Sequence, residues 1–291
     1  MKAIGIDLGT TTICGILIDS DTGEVIKTLT KQNSGFLPSN LSFEKKQGCH
    51  TNILIAQEIL DSLLDPDVSA IGVTGQMHGI LYYDEHGKAI SPLYTWQDRR
   101  ADEPFKNKTY SSYLNIPTGY GYATHFYNLQ NNLVPVNAVG FCTLADYFVM
   151  FICKLTKPMI HITNASSFGK FENQPFDNKW LITPTKDFQI AGFYKKIPVS
   201  VAIGDNQASV LASCKSNDVL VNIGTGSQLS IVSNSVSFKK AIENRPYFEG
   251  KHILVGSSLC GGKSYSLLKD FFKSIISLKS PIEDDEVYKI L

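Results

Sequence analysis

The chain has 291 residues, of which 43% are hydrophobic and 19% charged, and its 27 Lys and Arg residues balance 27 Asp and Glu residues. This length suggests about two domains, and the composition is typical of a globular protein. A formal net charge of zero gives no support for nucleic acid or a membrane surface as the main partner. None of the six cysteines forms a C-x-x-C pair, so we expect reduced thiols rather than a disulfide or zinc framework.

The first predicted elements form a β-meander with an acidic residue beside its first turn. Strands are predicted at 3–8, 13–18 and 24–26. Because the first strand follows Met1 directly, we expect no signal peptide and a cytoplasmic protein. Asp7 precedes the turn Gly9-Thr10-Thr11, which can direct N–H groups and hydroxyls at a phosphate while the acid holds Mg²⁺. The alternative is an ordinary hairpin in which Asp7 only ends a strand.

A second candidate segment follows a helix predicted at 52–64 and a strand predicted at 68–74. The strand ends in Gly75-Gln76-Met77-His78-Gly79. Polar groups at the C-terminal end of an inner strand are in a usual place for small-molecule contacts in α/β sheets. A lone histidine is compatible with a structural role, although the flanking glycines would let a ligand approach.

Trp96, Gln97 and Asp98, followed by two arginines, place aromatic, polar and charged groups in one short stretch. Trp96 with Gln97 or Asp98 could bind a polyol, because an indole packs on C–H faces while polar groups bind hydroxyls. The alternative is a strand-to-helix junction with Asp98 as a cap and solvated arginines.

Two later segments carry weaker patterns. Residues 118–125 (TGYGYATH) predict a mobile glycine and aromatic loop that lines a cleft. Residues 139–155 predict a helix that contains Asp146, and this acid makes the apolar run a packed helix rather than a membrane span.

The stretch 201–233 carries the strongest signal. A short strand ends at Gly204 and a helix follows, so Asp205 is expected where the strand ends and the helix begins. A carboxylate there lies beside the unpaired N–H groups and the positive end of the helix dipole. The strands that follow flank the turn Gly224-Thr225-Gly226, which resembles the turn at Gly9. Two such turns suggest a duplicated scaffold that grips one nucleotide from two sides, with chance similarity of glycine hairpins as the alternative.

Six motifs occur together in this chain: IGIDLGTTT at 4–12, IGVTGQMHG at 71–79, TWQDRR at 95–100, TGYGYATHF at 118–126, IGDNQAS at 203–209 and NIGTGSQ at 222–228. In order and spacing they resemble the FGGY carbohydrate kinases, which belong to the actin/hexokinase/Hsp70-like ATPase superfamily. The Gly-Gln-Met-His-Gly segment is similar to the xylulokinase and sedoheptulokinase branch. The resemblance implies an α/β fold of the ribonuclease H-like type.

The resemblance also implies ATP-dependent phosphorylation of the terminal hydroxyl of a ketose, with Mg²⁺. Asp205 would be the catalytic base, and Asp7 would order Mg²⁺ and its water. The phosphates would be cradled by Gly9, Thr10, Thr11, Gly224, Thr225 and Gly226. The sugar would be bound by Gln76, Met77, His78 and Asn206, with Trp96 and Asp98 nearby.

The resemblance implies an N-terminal sugar- and phosphate-binding domain at 1–234 and a partial C-terminal domain at 235–291. Family members are longer and carry a further adenosine-binding motif. The alternative function is therefore a catalytically impaired sugar-binding remnant, or half of a split kinase that lacks the adenosine pocket. The expected partners are a small ketose and either a second copy of the chain or a missing C-terminal half. In a partial domain we expect Phe271, Phe272, Ile275 and Ile276 to be partly exposed.

Overall fold

The structure is a computed structural model that describes residues 1–169, 177–215, 218–223, 227–258 and 261–291. The chain divides into two compact units, Met1–Ala208 and Ser209–Leu291. The boundary expected at 234 and 235 stays a prediction about the domains of the family. Across the described ranges, no helix is both long and apolar enough to cross a membrane.

The first unit is built from runs of strands separated by helices. Its strands are β1 (Lys2–Leu8), β2 (Thr12–Asp19), β3 (Val25–Gln32), β4 (Phe36–Leu37), β5 (Lys46–Gln47), β6 (Val68–Gly75), β7 (Leu81–Tyr83), β8 (Leu93–Tyr94), β9 (Pro104–Phe105), β10 (Lys108–Thr109), β11 (Gly140–Cys142), β12 (Ile190–Tyr194), β13 (Ile197–Ser200) and β14 (Ile203–Gly204). Its helices are α1 (Cys49–Leu63), α2 (Tyr110–Leu114), α3 (Gly121–Gln130), α4 (Leu144–Ile152), α5 (Ile162–Ser166) and α6 (Asp205–Ser213), the last of which runs into the second unit.

A mixed sheet forms the centre of the first unit, in the order β12-β13-β6-β1-β2-β3, and β14 also pairs with β6. Strands β1, β13 and β14 all run parallel to β6, whereas β2 and β3 continue antiparallel from β1. The predicted opening meander and the α/β class are therefore confirmed. In β1, alternate residues Ile4, Ile6 and Leu8 are buried, and α1 covers the sheet with the apolar face that its spacing predicted.

Two sequence predictions in this unit are wrong. The segment 118–125, predicted as a mobile loop, enters α3, where Tyr122 and His125 are buried among aromatic side chains. The first part of the segment predicted as a helix at 139–155 is strand β11 instead, which pairs with β7. Thr143 and Asp146 form a capping box at the start of α4, so Asp146 lies in the first turn rather than mid-helix.

The second unit contains a smaller, antiparallel sheet. Its strands are β15 (Val219–Ile223), β16 (Ser227–Ser233), β17 (Glu243–Pro246) and β18 (His252–Ser258), and its helices are α7 (Gly262–Ile276) and α8 (Asp284–Ile290). The strand order is β15-β16-β18-β17. As expected, apolar residues on α7 reach solvent: Phe271 is 58% exposed and Ile275 is 47% exposed.

His125 provides a test of this packing through pH. Its Nδ1 lies 2.9 Å from the Tyr82 hydroxyl oxygen, and burial lowers its pKa to about 3. The histidine of the unfolded chain has a pKa of about 6.5, so below that pH the unfolded chain binds a proton that the folded protein excludes. The free energy of unfolding should therefore fall as pH decreases from about 6.5 towards 3, by up to about 1.4 kcal/mol per pH unit from this residue.

We expect His125→Phe to reduce the difference between the unfolding free energies at pH 7 and pH 5, measured by urea denaturation. His86→Asn, at an exposed site, is the control and should keep the wild-type difference. An unchanged pH dependence in His125→Phe would contradict this account of the buried imidazole.

Candidate active site

Three parallel strands of the central sheet end side by side. Leu8 of β1 pairs with Gly75 of β6, and Gly75 pairs with Gly204 of β14. One step earlier, Thr74 donates a hydrogen bond from its hydroxyl to the Ile203 carbonyl oxygen at 2.9 Å. This common register brings the chain segments that leave the three strands to one edge of the sheet. They are the turn at Gly9, the segment Gln76–His78 and Asp205.

Asp7 lies at this edge with a partly desolvated carboxylate. Within the described part of the chain, its Oδ1 atom is buried and has no hydrogen-bond partner. Burial raises the pKa of the carboxyl above its ordinary value. A carboxylate oxygen in this state suits a cation. The positive charge would replace the favourable interaction with water that the carboxylate loses on burial. No cluster of three or more His, Cys, Asp or Glu that could hold a metal occurs among the described residues.

Thr10 links the turn to two residues that were assigned to the sugar. Its hydroxyl donates to Gln76 Oε1 at 3.3 Å and accepts from Trp96 Nε1 at 2.9 Å. The Trp96 side chain is 47% exposed, so a ring face remains accessible for packing on a sugar. Thr11 is exposed in the same turn, and its carbonyl oxygen accepts from the Asn33 backbone N–H at 2.8 Å.

His78 is held in a conformation that non-glycine residues rarely adopt. Its φ is 69°, its backbone N–H donates to Ser167 Oγ at 3.0 Å, and its Nδ1 lies 2.9 Å from the Ser167 carbonyl oxygen. The imidazole packs on Tyr120 with ring centroids 4.1 Å apart. A left-handed φ costs about 1–3 kcal/mol and persists where neighbouring contacts impose it. Ser167 and Tyr120 supply those contacts here.

Asp205 is the first residue of α6, directly after β14, as the sequence predicted, and it is exposed. Its Oδ1 accepts a hydrogen bond from the Asn206 backbone N–H at 2.7 Å. Met77 is buried and packs against Gly204, the residue before Asp205. A Cβ on Gly204 would lie 2.6 Å from the Met77 sulfur. Glycine at 204 therefore allows the Gln76–His78 segment to lie directly beside the start of α6.

The remaining predicted phosphate residues, Gly224, Thr225 and Gly226, lie outside the described residues. Strands β15 and β16 on either side of them pair in antiparallel register from Val219 with Ile231 to Ile223 with Ser227.

The first 43% or so of the chain matches a known family at the level of sequence. Residues 2–125 match the model for the FGGY family of carbohydrate kinases, N-terminal domain. Human sedoheptulokinase is 30% identical over 353 residues, which cover 98% of this chain and 72% of the human protein. The chain belongs to the FGGY family of carbohydrate kinases. The mouse sedoheptulokinase gives a similar match, with 29% identity over 355 residues and the same coverage.

This FGGY kinase has the fold that its motifs implied, as comparison with solved structures shows. The crystal structure of xylulose kinase from Rhodospirillum rubrum aligns with a TM-score of 0.80 at 15% identity, over 96% of this chain and 64% of that one. The predicted actin/hexokinase-like fold is thus confirmed. The human alignment has more positions than this chain has residues, so the human protein carries residues inside the matched region that this chain lacks.

Asp98 has a different environment from the one predicted. It is 0% exposed, and both carboxylate oxygens accept hydrogen bonds, Oδ1 from Arg100 Nε at 2.7 Å and Oδ2 from the Lys45 backbone N–H at 2.9 Å. Arg100 is 1% exposed, and its guanidinium lies 4.2 Å from the centre of the Tyr94 ring. Asp98 therefore has no surface for a sugar, and of the two arginines expected to be solvated, Arg99 is exposed but Arg100 is buried. The pair fixes the segment that carries Trp96.

A group of buried amides that the sequence pattern did not reveal lies under the turn at Gly9. Asn33 Nδ2 donates to the Gly9 carbonyl oxygen at 3.1 Å, and Gln47 Nε2 donates to the Thr10 carbonyl oxygen at 2.9 Å. Asn52 Nδ2 donates to Gln47 Oε1 at 2.9 Å. One signal was available: Asn52 occupies a position on the otherwise apolar face of α1. Its partners are distant in sequence, so the pattern could not identify them.

Arg100 and Arg99 provide a matched pair of variants. We expect Arg100→Met to lower the free energy of unfolding by about 3–5 kcal/mol, because it leaves the Asp98 carboxylate buried without its partner. Arg99→Met removes only an exposed ion pair with Asp102 and should cost less than about 1 kcal/mol. Urea denaturation of both variants measures the difference. Similar losses in the two variants would show that the buried pair is not the stabilising contact.

Proposed function

We propose that the chain transfers the γ-phosphoryl group of ATP to the terminal hydroxyl of a ketose, with Asp205 as the general base. One observation carries most of the support. Asp7 is the last residue but one of β1, Gln76 and Asp205 directly follow β6 and β14, and these three parallel strands end in register. The shared register brings an acid for a cation, a polar sugar contact and an exposed carboxylate to one sheet edge. The carboxyl ends of such strands are where α/β proteins bind small ligands.

The names of the relatives indicate the substrate class. The relatives that align with 98% of this chain are sedoheptulokinases, and the structural neighbour described above is a xylulose kinase. Both names denote kinases of ketoses. Sedoheptulose is therefore the first substrate to test, and xylulose the second.

In the proposed reaction, Asp205 accepts the proton of the terminal hydroxyl as that oxygen attacks the γ-phosphorus and the bond to the ADP oxygen breaks. The carboxylate does not need a strongly raised pKa, because in a loose phosphoryl-transfer transition state the hydroxyl proton is lost late. Its place at the start of α6 keeps an exposed oxygen beside the sugar-binding segment. Positioning of the two reactants then supplies much of the rate enhancement.

On the phosphate side, Gly9, Thr10 and Thr11 of the first unit would contact the β- and γ-phosphates. The expected role of Gly224, Thr225 and Gly226 stays a prediction from the sequence. Asp7 fits Mg²⁺, because its buried Oδ1 atom has an unfilled bonding position among the described residues. Mg²⁺ commonly binds through one or two carboxylates, waters and phosphate oxygens, and when bound it neutralises charge on the transferred group.

On the sugar side, the proposal assigns Gln76, His78, Asn206 and the exposed face of Trp96 to the ketose. The buried Met77 would form a wall of the site through its packing on Gly204. The segment at 118–121 also supports Trp96, because Gly119, at φ 82°, lies so close to the Trp96 carbonyl oxygen that a Cβ would be 2.1 Å away.

Asp205→Asn tests the proposed base. We expect it to lower kcat by about 10²–10⁴-fold while the ketose still binds, because the amide keeps the shape but cannot take the proton. ADP release in the presence of sedoheptulose or xylulose, with calorimetry for sugar binding, measures both effects. Asp285→Asn is the matched control, since Asp285 is an exposed acid in the first turn of α8, and it should keep wild-type turnover. Ketose binding without ATP-dependent turnover in the wild type would instead support a sugar-binding protein.

Asp7→Asn separates ligand binding from stability. The variant removes a carboxylate whose charge is disfavoured by burial, so the melting temperature of the ligand-free protein should equal or exceed that of the wild type at pH 7.5. The rise in melting temperature on adding Mg²⁺ and ATP should shrink, because the variant binds them less tightly. Differential scanning calorimetry with and without both ligands measures the two quantities. A lower melting temperature with an undiminished ligand shift would contradict the assignment.

A further inference from the structure

A directed chain of hydrogen bonds connects the sugar-side and phosphate-side residues inside the first unit. It runs from Trp96 Nε1 to Thr10 Oγ1 at 2.9 Å, from Thr10 Oγ1 to Gln76 Oε1 at 3.3 Å, and from Gln76 Nε2 to Gln47 Oε1 at 3.1 Å. It ends where Gln47 Nε2 donates to the Thr10 carbonyl oxygen at 2.9 Å. This last bond returns to Thr10, so Thr10, Gln76 and Gln47 form a closed ring of hydrogen bonds.

The direction of every bond in this chain follows from its two ends. An indole N–H can only donate and a backbone carbonyl can only accept. Because the Thr10 carbonyl can only accept, Gln47 presents its nitrogen to it and its oxygen to Gln76. The Gln76 nitrogen must then donate to that oxygen, which leaves Gln76 Oε1 to accept the proton of the Thr10 hydroxyl.

Gln47 is well held in that orientation. Its side chain is buried, and its Oε1 also accepts from Asn52 Nδ2 at 2.9 Å and lies 3.4 Å from Asn33 Nδ2. If the Gln47 amide were reversed, its N–H₂ group would face the side-chain N–H groups of Gln76, Asn52 and Asn33. Its oxygen would then face the Thr10 carbonyl oxygen. The observed orientation of Gln47 is favoured because the reversed amide would leave buried polar groups without partners.

The arrangement has a consequence for binding. While the Thr10 hydroxyl donates to Gln76, its proton cannot be given to a phosphate, and the acceptor on Gln76 is partly used. A phosphate that takes the Thr10 proton releases Gln76 Oε1 for a sugar hydroxyl. A sugar hydroxyl that donates to Gln76 Oε1 releases the Thr10 proton for a phosphate.

We propose that Gln47 is a positioning residue that holds Gln76 against Thr10, so that ketose binding and phosphate binding favour each other through one exchanged hydrogen bond. This inference rests on the proposed kinase function. Gln47 itself touches neither ligand, and it acts by fixing which atom of Gln76 faces the Thr10 hydroxyl. The coupling must be reciprocal, since each ligand changes the affinity of the other by the same factor.

The hydrogen-bond chain can be tested without any enzyme activity. The protein has two tryptophans, Trp96 and Trp180, so ¹⁵N-tryptophan labelling gives two indole N–H signals, which Trp96→Phe assigns. Gln47→Met keeps the side-chain length but removes both polar atoms, and it should move the Trp96 signal. Asn131→Ala is the control, because it deletes an amide that bonds Tyr110 and Tyr127 instead, and should leave the Trp96 signal in place. An unmoved Trp96 signal in Gln47→Met overturns the proposal.

The coupling is tested by titrating a non-hydrolysable ATP analogue with and without sedoheptulose. In the wild type and in Asn131→Ala, the sugar should tighten analogue binding by about five- to tenfold, the effect of one hydrogen bond. In Gln47→Met the factor should fall towards one while the ketose still binds. Gln47→Leu, which also removes both polar atoms, replaces it if the methionine variant does not fold.

The two proposals fail in different ways. A moved Trp96 signal in a protein that shows no phosphorylation would remove the kinase function and leave Gln47 as the residue that orders the turn. Wild-type turnover with no effect of the ketose on analogue affinity would leave the kinase function and overturn the coupling. The same coupling factor in wild type and Gln47→Met would also overturn it.

Discussion

The candidate site depends on the shared register of β1, β6 and β14. Side chains in neighbouring strands alternate with a period of two, so a slip of one residue in β6 would turn Gln76 away from the turn at Gly9. The bond from the Thr74 hydroxyl to the Ile203 carbonyl joins the short strand β14 to this register. Because β14 contributes only two residues to the sheet, that bond and the close packing of Met77 on Gly204 are needed to position Asp205.

Buried polar groups organise the site more than apolar packing does. The Asp98–Arg100 pair and the ring through Gln47 both lie just beneath residues that ligands would contact. A buried polar group without a partner is costly, so these networks resist rearrangement. Trp96 is held from both sides: the buried pair fixes its backbone segment, and Thr10 fixes its indole. The exposed ring can thus meet a ligand with little loss of conformational entropy.

The two compact units differ in how much they bury. The first has one continuous core that includes residues from β1, α1, α3 and α4, whereas the core of the second is centred on Val210, Ile253 and Val255. The helix α6 begins with Asp205 in the first unit and ends in the second. Apolar side chains such as Phe271 remain exposed on α7. By burial, local stability should be lowest in the second unit.

The sequence alone determined the elements whose patterns are local. The alternation in β1, the helical spacing in α1 and the strand–helix junction at Asp205 all follow from near neighbours, and the six motifs identified the family. Thr143 and Asp146 also have the three-residue spacing of a capping box, which is a local pattern. What only the tertiary structure decided are the contacts between distant residues. Gln47 meets Thr10 and Gln76 across 37 and 29 positions of sequence, and Asp98 is buried by the Lys45 segment and Arg100 rather than exposed to a sugar. Hydrogen-bond partners of buried polar groups are set by where the strands come together in space, and the spacing of residues along the chain does not carry that information.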